Sequence, residues 1–189
     1  LPQNVNLNIV EIQILIYAVL LHDIGMVINN AEKEELLKSD EFIKLTREFD
    51  SSVSDEEILT ELIRRTHVQR SCNYVDIFKS NFTEYKIEFE FKGIDLSDYI
   101  KNIILSHEKP VKFLEDEKKF PQKLLIVDKY VNVQYLAILL RLGDILDFDI
   151  FRTPPYLFHH IGIKNIISQG EWLKHQSITG RNFSTSFIE

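Results

Sequence analysis

The stretch from Leu7 to Leu21 most limits what this chain can become. It contains neither Gly nor Pro, and its Ile, Val and Leu content is interrupted by little beyond Glu11 and Gln13. That content would suit a buried strand, but the length argues for a helix buried nearly all round. The run is too short for a membrane span, and no signal peptide is visible. It ends in Leu20-Leu21-His22-Asp23-Ile24-Gly25-Met26, where Gly25 suits the left-handed turn that often closes a helix. A His-Asp dipeptide at the end of a buried helix is costly to place unless it is paired or coordinates something.

Other segments read as helices by spacing. Residues 31 to 50 form a charged amphipathic helix. Ser54-Asp55-Glu56-Glu57 has the capping-box pattern and opens a helix to about Ser71, with Leu59, Leu62, Ile63 and His67 near one face. Tyr85, Ile87, Phe89 and Phe91 alternate with charged residues, the period of a half-buried strand over 84–92. Asp95 or Ser97 caps a short helix carrying Ile100, Ile103, Ile104 and His107, and Pro110 ends it. A further helix spans about Asn132 to Phe148, with Leu136, Leu140 and Asp144 stacked four apart. From Ser177 the chain reads as extended. With only 6 Gly and 5 Pro, the fold class expected is mainly α: a helical bundle with a small β element.

The 189 residues suit a single domain spanning 1–189, expected to be a piece of a longer protein, with 176–189 opening a β extension or a next module. A net charge of -7 argues against a general nucleic-acid surface but allows an anion held through a metal. A single cysteine, Cys72, excludes an internal disulfide and fits a cytoplasmic location.

His22, Asp23, His67, His107 and Asp144 offer imidazole and carboxylate donors of the kind that hold Mn, Mg, Fe or Zn. The negative pole of the first helix also favours a cation beside His22 and Asp23. One or two ions there would activate water and polarise a phosphoryl oxygen. The bland alternatives are that His22 pairs with Asp23, that His67 sits on a solvated basic face, that His107 simply ends its helix, and that Asp144 pairs with Arg141. Asp147 and Asp149 read as surface or capping residues, His159-His160 as structural and His175 as a packing contact beside Trp172. Cys72 reads as an inert buried thiol, and Tyr85 to Phe91 as a packed strand rather than a base-stacking platform.

The order His-Asp, His, His, Asp on successive helices resembles the HD-domain metal-dependent phosphohydrolases. The wording of Arg64-Arg65-Thr66-His67, Ile104-Leu105-Ser106-His107-Glu108 and Leu140-Arg141-Leu142-Gly143-Asp144-Ile145-Leu146-Asp147 is similar to an HD-CE-like subgroup of large bacterial proteins. Arg152-Thr153-Pro154 and Glu171-Trp172-Leu173-Lys174-His175 extend the likeness towards the C-terminus. In that subgroup the domain commonly precedes a GHKL-type ATPase module.

The resemblance implies a hydrolase acting on a nucleotide or other phosphoester. His22, Asp23 and Asp144 would be principal metal ligands, and His67 and His107 would hold a second ion or contact the phosphate. By position, Arg65 and Arg70 would clamp phosphate, with Lys109 a further candidate. Asp23, His67, His107 and Arg65 would then be the catalytic set. The family pattern begins with one more His, a helix before the His-Asp pair, and residues 1 to 21 contain none. Either it lies upstream of Leu1 or the site lacks a ligand. The alternatives from other classes are a regulatory HD domain with a degenerate site, coupled to a neighbouring ATPase module, and an HD nuclease.

Overall fold

In a computed structural model, residues 6–147, 151, 153–161, 166–178 and 180 are described. They are mainly α-helical, with nine α-helices and two small two-stranded sheets among them. The chain divides into two compact units, one of residues 7–140 and one of residues 1–6 with 141–189.

The first unit begins with α1 (Ile9–Leu21), opened by a capping box. The Asn8 side chain accepts the Val10 and Glu11 amides, and the Glu11 carboxylate accepts the Asn8 amide at 3.0 Å. The second Glu11 oxygen accepts the Asn132 amide at 3.0 Å, which explains a carboxylate buried in an apolar helix. Ile9–Met26 is apolar enough to cross a membrane by composition, yet its regular helix covers only 13 residues. That is about 20 Å, short of a hydrocarbon core of about 30 Å.

The expected helix over 31–50 is two, α2 (Asn30–Leu37) and α3 (Asp40–Thr46). Ser39 divides them, its hydroxyl capping α3 through the Phe42 amide at 3.1 Å. The helix opened by Ser54 is α4 (Asp55–Ser80), with the capping box in place and a C-terminus well beyond Ser71.

The expected strand over 84–92 is mostly not a strand. A short α5 (Phe82–Tyr85) takes its start, and Lys86 turns the chain at φ 54°. Only Glu90–Phe91 (β1) pairs, with Ile94–Asp95 (β2), across a tight turn with Lys92 at φ 49° and Gly93 at φ 78°. No longer ladder is needed, because α1 side chains serve this backbone. Tyr17 donates to the Glu88 carbonyl at 3.0 Å and Gln13 to the Glu90 carbonyl at 3.0 Å, while Phe89 is buried edge-on against the Tyr17 ring.

Then come α6 (Ser97–Ser106), with the Asp95 carboxylate accepting the Ser97 amide, and the hairpin β3 (Leu124–Ile126) and β4 (Lys129–Val131). Next is α7 (Val133–Leu146), along which the boundary between the units falls. The main core gathers Val10, Ile14 and Ala18 of α1, Val68, Cys72 and Val75 of α4, Ile100, Ile103 and Ile104 of α6, and Val133, Leu136, Ala137 and Leu140 of α7. A smaller core joins α3 to the start of α4 through Phe42, Leu45, Ile58, Leu59, Leu62 and Ile63.

In the second unit α8 (Pro155–Ile161) and α9 (Ile166–Gln176) meet through Phe158 and Trp172, their rings 5.6 Å apart. The expected extended stretch from Ser177, Arg152 of the Arg-Thr-Pro motif, and Asp149 fall largely or wholly outside the described residues.

Candidate metal centre

Two helices stop at the same place. His22 is the C-terminal cap of α1 and His107 that of α6, and their rings stand 5.4 Å apart at 84°. Two negative helix poles therefore face one spot, and both favour a cation there. His67 joins them from the middle of α4, with its ring centroid 5.5 Å from that of His107.

The orientation of the three rings follows from one local rule. Each Nδ1 lies on the carbonyl three residues earlier in its own helix: His22 on Val19 at 2.8 Å, His67 on Arg64 at 2.7 Å, His107 on Ile104 at 2.6 Å. A carbonyl only accepts, so each Nδ1 carries a proton, and each Nε2 is the atom turned towards Asp23. Such contacts on the far nitrogen are how metal-binding histidines are usually aimed.

The Nε2 atoms gather around the Asp23 carboxylate. His67 Nε2 lies 3.2 Å and His107 Nε2 3.8 Å from Oδ1, His22 Nε2 lies 3.4 Å from Oδ2, and the Nε2 atoms of His67 and His107 are 3.4 Å apart. Donors around one ion with bonds of about 2.1 Å stand about 3.0 to 3.4 Å from one another. Asp23, His67 and His107 thus form a donor set able to hold one ion. The His22 and His107 side chains are 20% and 6% exposed and that of Asp23 is 54% exposed, so the carboxylate is the open edge of the site.

The electrostatics agree. The hydrogen bond from His67 holds the Asp23 carboxyl below its ordinary value, against the opposing effect of burial and with help from the nearby His22, His67 and His107 charges. For His67, burial works against the charged form, but the bonds to Asp23 and the Arg64 carbonyl and the charge of Glu108 outweigh it, and its value is raised.

A family model, HD-CE, matches residues 1–186. The chain belongs to the HD-CE family. No curated protein and no solved structure shows a significant match to it. In this HD-CE chain the His-Asp dipeptide and the two later histidines lie side by side. Asp144 lies half-buried on α7 in the second unit and is not one of the three clustered donors.

The arginines are already engaged. Arg65 donates to Glu61 at 2.8 Å and to Glu48 at 2.9 Å, which together push its value up. Arg64 pairs with Glu61 at 3.0 Å. Arg70 donates to the carbonyls of Gly25 and Val27 and pairs with Glu32 at 2.9 Å. Lys109 is exposed on the turn after α6. Cys72 is buried and its thiol is pushed up to about 11, in keeping with an inert packing residue.

Gly25 corrects one expectation. Its φ is not positive, and it sits in a 3-10 turn, Ile24–Met26, rather than in a left-handed cap. Glycine is required there by close approach: a Cβ would fall 2.0 Å from the His67 carbonyl oxygen and 2.7 Å from the Ser71 nitrogen. Two residues near the site were missed in the sequence. Glu108 approaches His67 Nδ1 at 3.3 Å, and Ser71 accepts the Gly25 amide at 2.9 Å. Adjacency to His107 and the four-residue spacing from His67 were the available signals.

Proposed function

We propose that this HD-CE domain is a metal-dependent phosphohydrolase acting on a nucleotide or another phosphoester in the cytoplasm. The observation that carries the reading is the convergence of three Nδ1-anchored imidazoles on the Asp23 carboxylate. A divalent ion bound there supplies Lewis acidity towards a water nucleophile and a phosphoryl oxygen. Asp23 orients and balances the charge. His22 and His107 would offer their Nε2 atoms from two helix ends, His67 would do so from α4 once its Nε2 proton has left, and Glu108 steadies the His67 ring. Arg65 reaches a phosphate only by leaving Glu48 or Glu61.

That engagement favours a second reading, a regulatory HD domain that binds a metal or nucleotide without turnover and is coupled to an ATPase module of the same protein. The nuclease alternative is weakened, since Arg64, Arg65 and Arg70 each already face a glutamate.

Titration calorimetry with Mn²⁺ on the wild-type chain and on Asp23→Ala tests the site. Micromolar or tighter binding that is lost in the variant is expected, and absence of binding in both would sink the metal reading. A phosphoester panel run with Mn²⁺ then separates the two functions: turnover supports the hydrolase, and binding without turnover supports the regulatory domain.

A further inference from the structure

Asp23 presents a positional problem. Its carboxylate is the open edge of the cluster, its backbone lies in a sparsely populated region at φ -109° and ψ 6°, and its side chain makes no capping bond to its own turn. A ligand so placed needs something else to fix the backbone that carries it, because a displacement near 1 Å is enough to spoil a coordination site.

The 3-10 turn after Asp23 is fixed from α4. The Arg70 Nε donates to the Gly25 carbonyl at 2.8 Å, and its Nη2 donates to the Val27 carbonyl at 2.9 Å. The third edge of the guanidinium meets Glu32 of α2 at 2.9 Å, and the side chain is only 12% exposed. On the other side of the turn the Gly25 amide donates to Ser71 Oγ, so both polar groups of Gly25 are held by consecutive residues of α4. The same helix supplies His67 one turn earlier, and the absent Cβ of Gly25 lets the turn lie directly on the His67 carbonyl. One rigid helix thus holds both the His67 ring and the segment that bears Asp23.

We propose that Arg70 is a positioning residue that locks the His22-Asp23 turn onto α4 and so pre-forms the Asp23–His67 pair for a metal. This rests on the metal reading above, and it replaces the phosphate-clamp role that sequence position suggested for Arg70. Two carbonyls and a carboxylate, met by three nitrogens of one rigid fork, are a demand that lysine's single ammonium does not meet.

The test uses Arg70→Gln and Arg70→Lys, with Lys79→Gln as a control on the same helix, away from the turn. Two quantities are measured: Mn²⁺ affinity by calorimetry, and amide hydrogen exchange at Met26 and Val27, whose N–H groups close the turn on Asp23 and Ile24. Both Arg70 variants are expected to weaken Mn²⁺ binding by about 10- to 100-fold, as loss of an outer-shell support does. Both should speed exchange at the two amides at least tenfold, and by more than at amides elsewhere in α4, with the control like wild type. Wild-type Mn²⁺ affinity in Arg70→Gln would overturn the proposal even if exchange accelerates, and unchanged exchange would overturn it on the structural side. If Arg70→Gln fails to fold, Glu32→Gln, which removes one of the three holds, should show the same two changes to a smaller extent; wild-type values there overturn the proposal. Should the wild-type chain take up no Mn²⁺, the metal reading falls, while the exchange rates still decide whether Arg70 holds the turn.

Discussion

At the scale of single residues, the site is built by side chains whose second function is to complete a helix. His22 and His107 cap α1 and α6, and each spends one nitrogen on its own helix and keeps the other for the cluster. Gly25 has no side chain to contribute, yet the position tolerates nothing larger. Gly25→Ala would press a methyl group into the backbone of His67 and Ser71, and backbone cannot step aside as a flexible side chain can. Overpacking of this kind costs about 3 kcal/mol. The expected outcome is a matching loss in urea-unfolding free energy together with weakened Mn²⁺ binding, because the displaced turn carries Asp23. A variant of wild-type stability would show that the turn can lift away from α4.

At the scale of elements, local chemistry sets the boundaries. Asn8 and Ser54 open α1 and α4 by the same reciprocal capping, and Ser39 divides what reads as one helix. The β3–β4 hairpin runs against its local chemistry. Ile126 pairs with Lys129, so Val127 and Asp128 form a two-residue loop, and Val127 occupies φ 57°. That is the first central position of a type II′ turn, where glycine is the normal occupant and a β-branched residue is strained. Val127 is 48% exposed and gives up little packing if replaced. Val127→Gly should therefore raise stability by about 1 kcal/mol, visible as a higher melting temperature. A lower one would mean that the Val127 side chain makes a contact worth more than the strain.

At the scale of the whole molecule, the site couples folding to pH and, under the proposed function, to metal as well. The raised value of His67 contributes stability that is complete below the ordinary imidazole value of 6.5 and is lost as pH rises through the folded value. The lowered value of Asp23 contributes stability present above 3.8 and lost as pH falls through its folded value. Without metal, the contribution of this pair is greatest between those two limits. Metal binding reverses the trend on the alkaline side, since the His67 proton must leave Nε2 before that atom can ligate. Melting curves taken across pH with and without Mn²⁺ should show a stability maximum that moves upward in pH when the ion is added. The gain is about 2.7 kcal/mol at a hundredfold excess over the dissociation constant. An optimum that does not shift would mean that His67 is not a ligand.

Periodicity, capping and a few dipeptides determined most of the helices, the mainly α class and the identity of His22, Asp23, His67 and His107, because these follow from neighbours within about one helical turn. Tertiary structure decided what needs distant partners. The alternation over residues 84 to 92 promised a strand, but α1 satisfied that backbone through Tyr17 and Gln13, and a long ladder never formed. Gly25 signalled a cap by its place in the sequence, whereas its reason is the carbonyl of a residue on another helix. Arg65 and Arg70 looked free to bind phosphate, yet Glu48, Glu61, Glu32 and two carbonyls of the His-Asp turn were already within reach. A sequence names the donors a chain carries, and only the packing of its helices decides which acceptors reach them first.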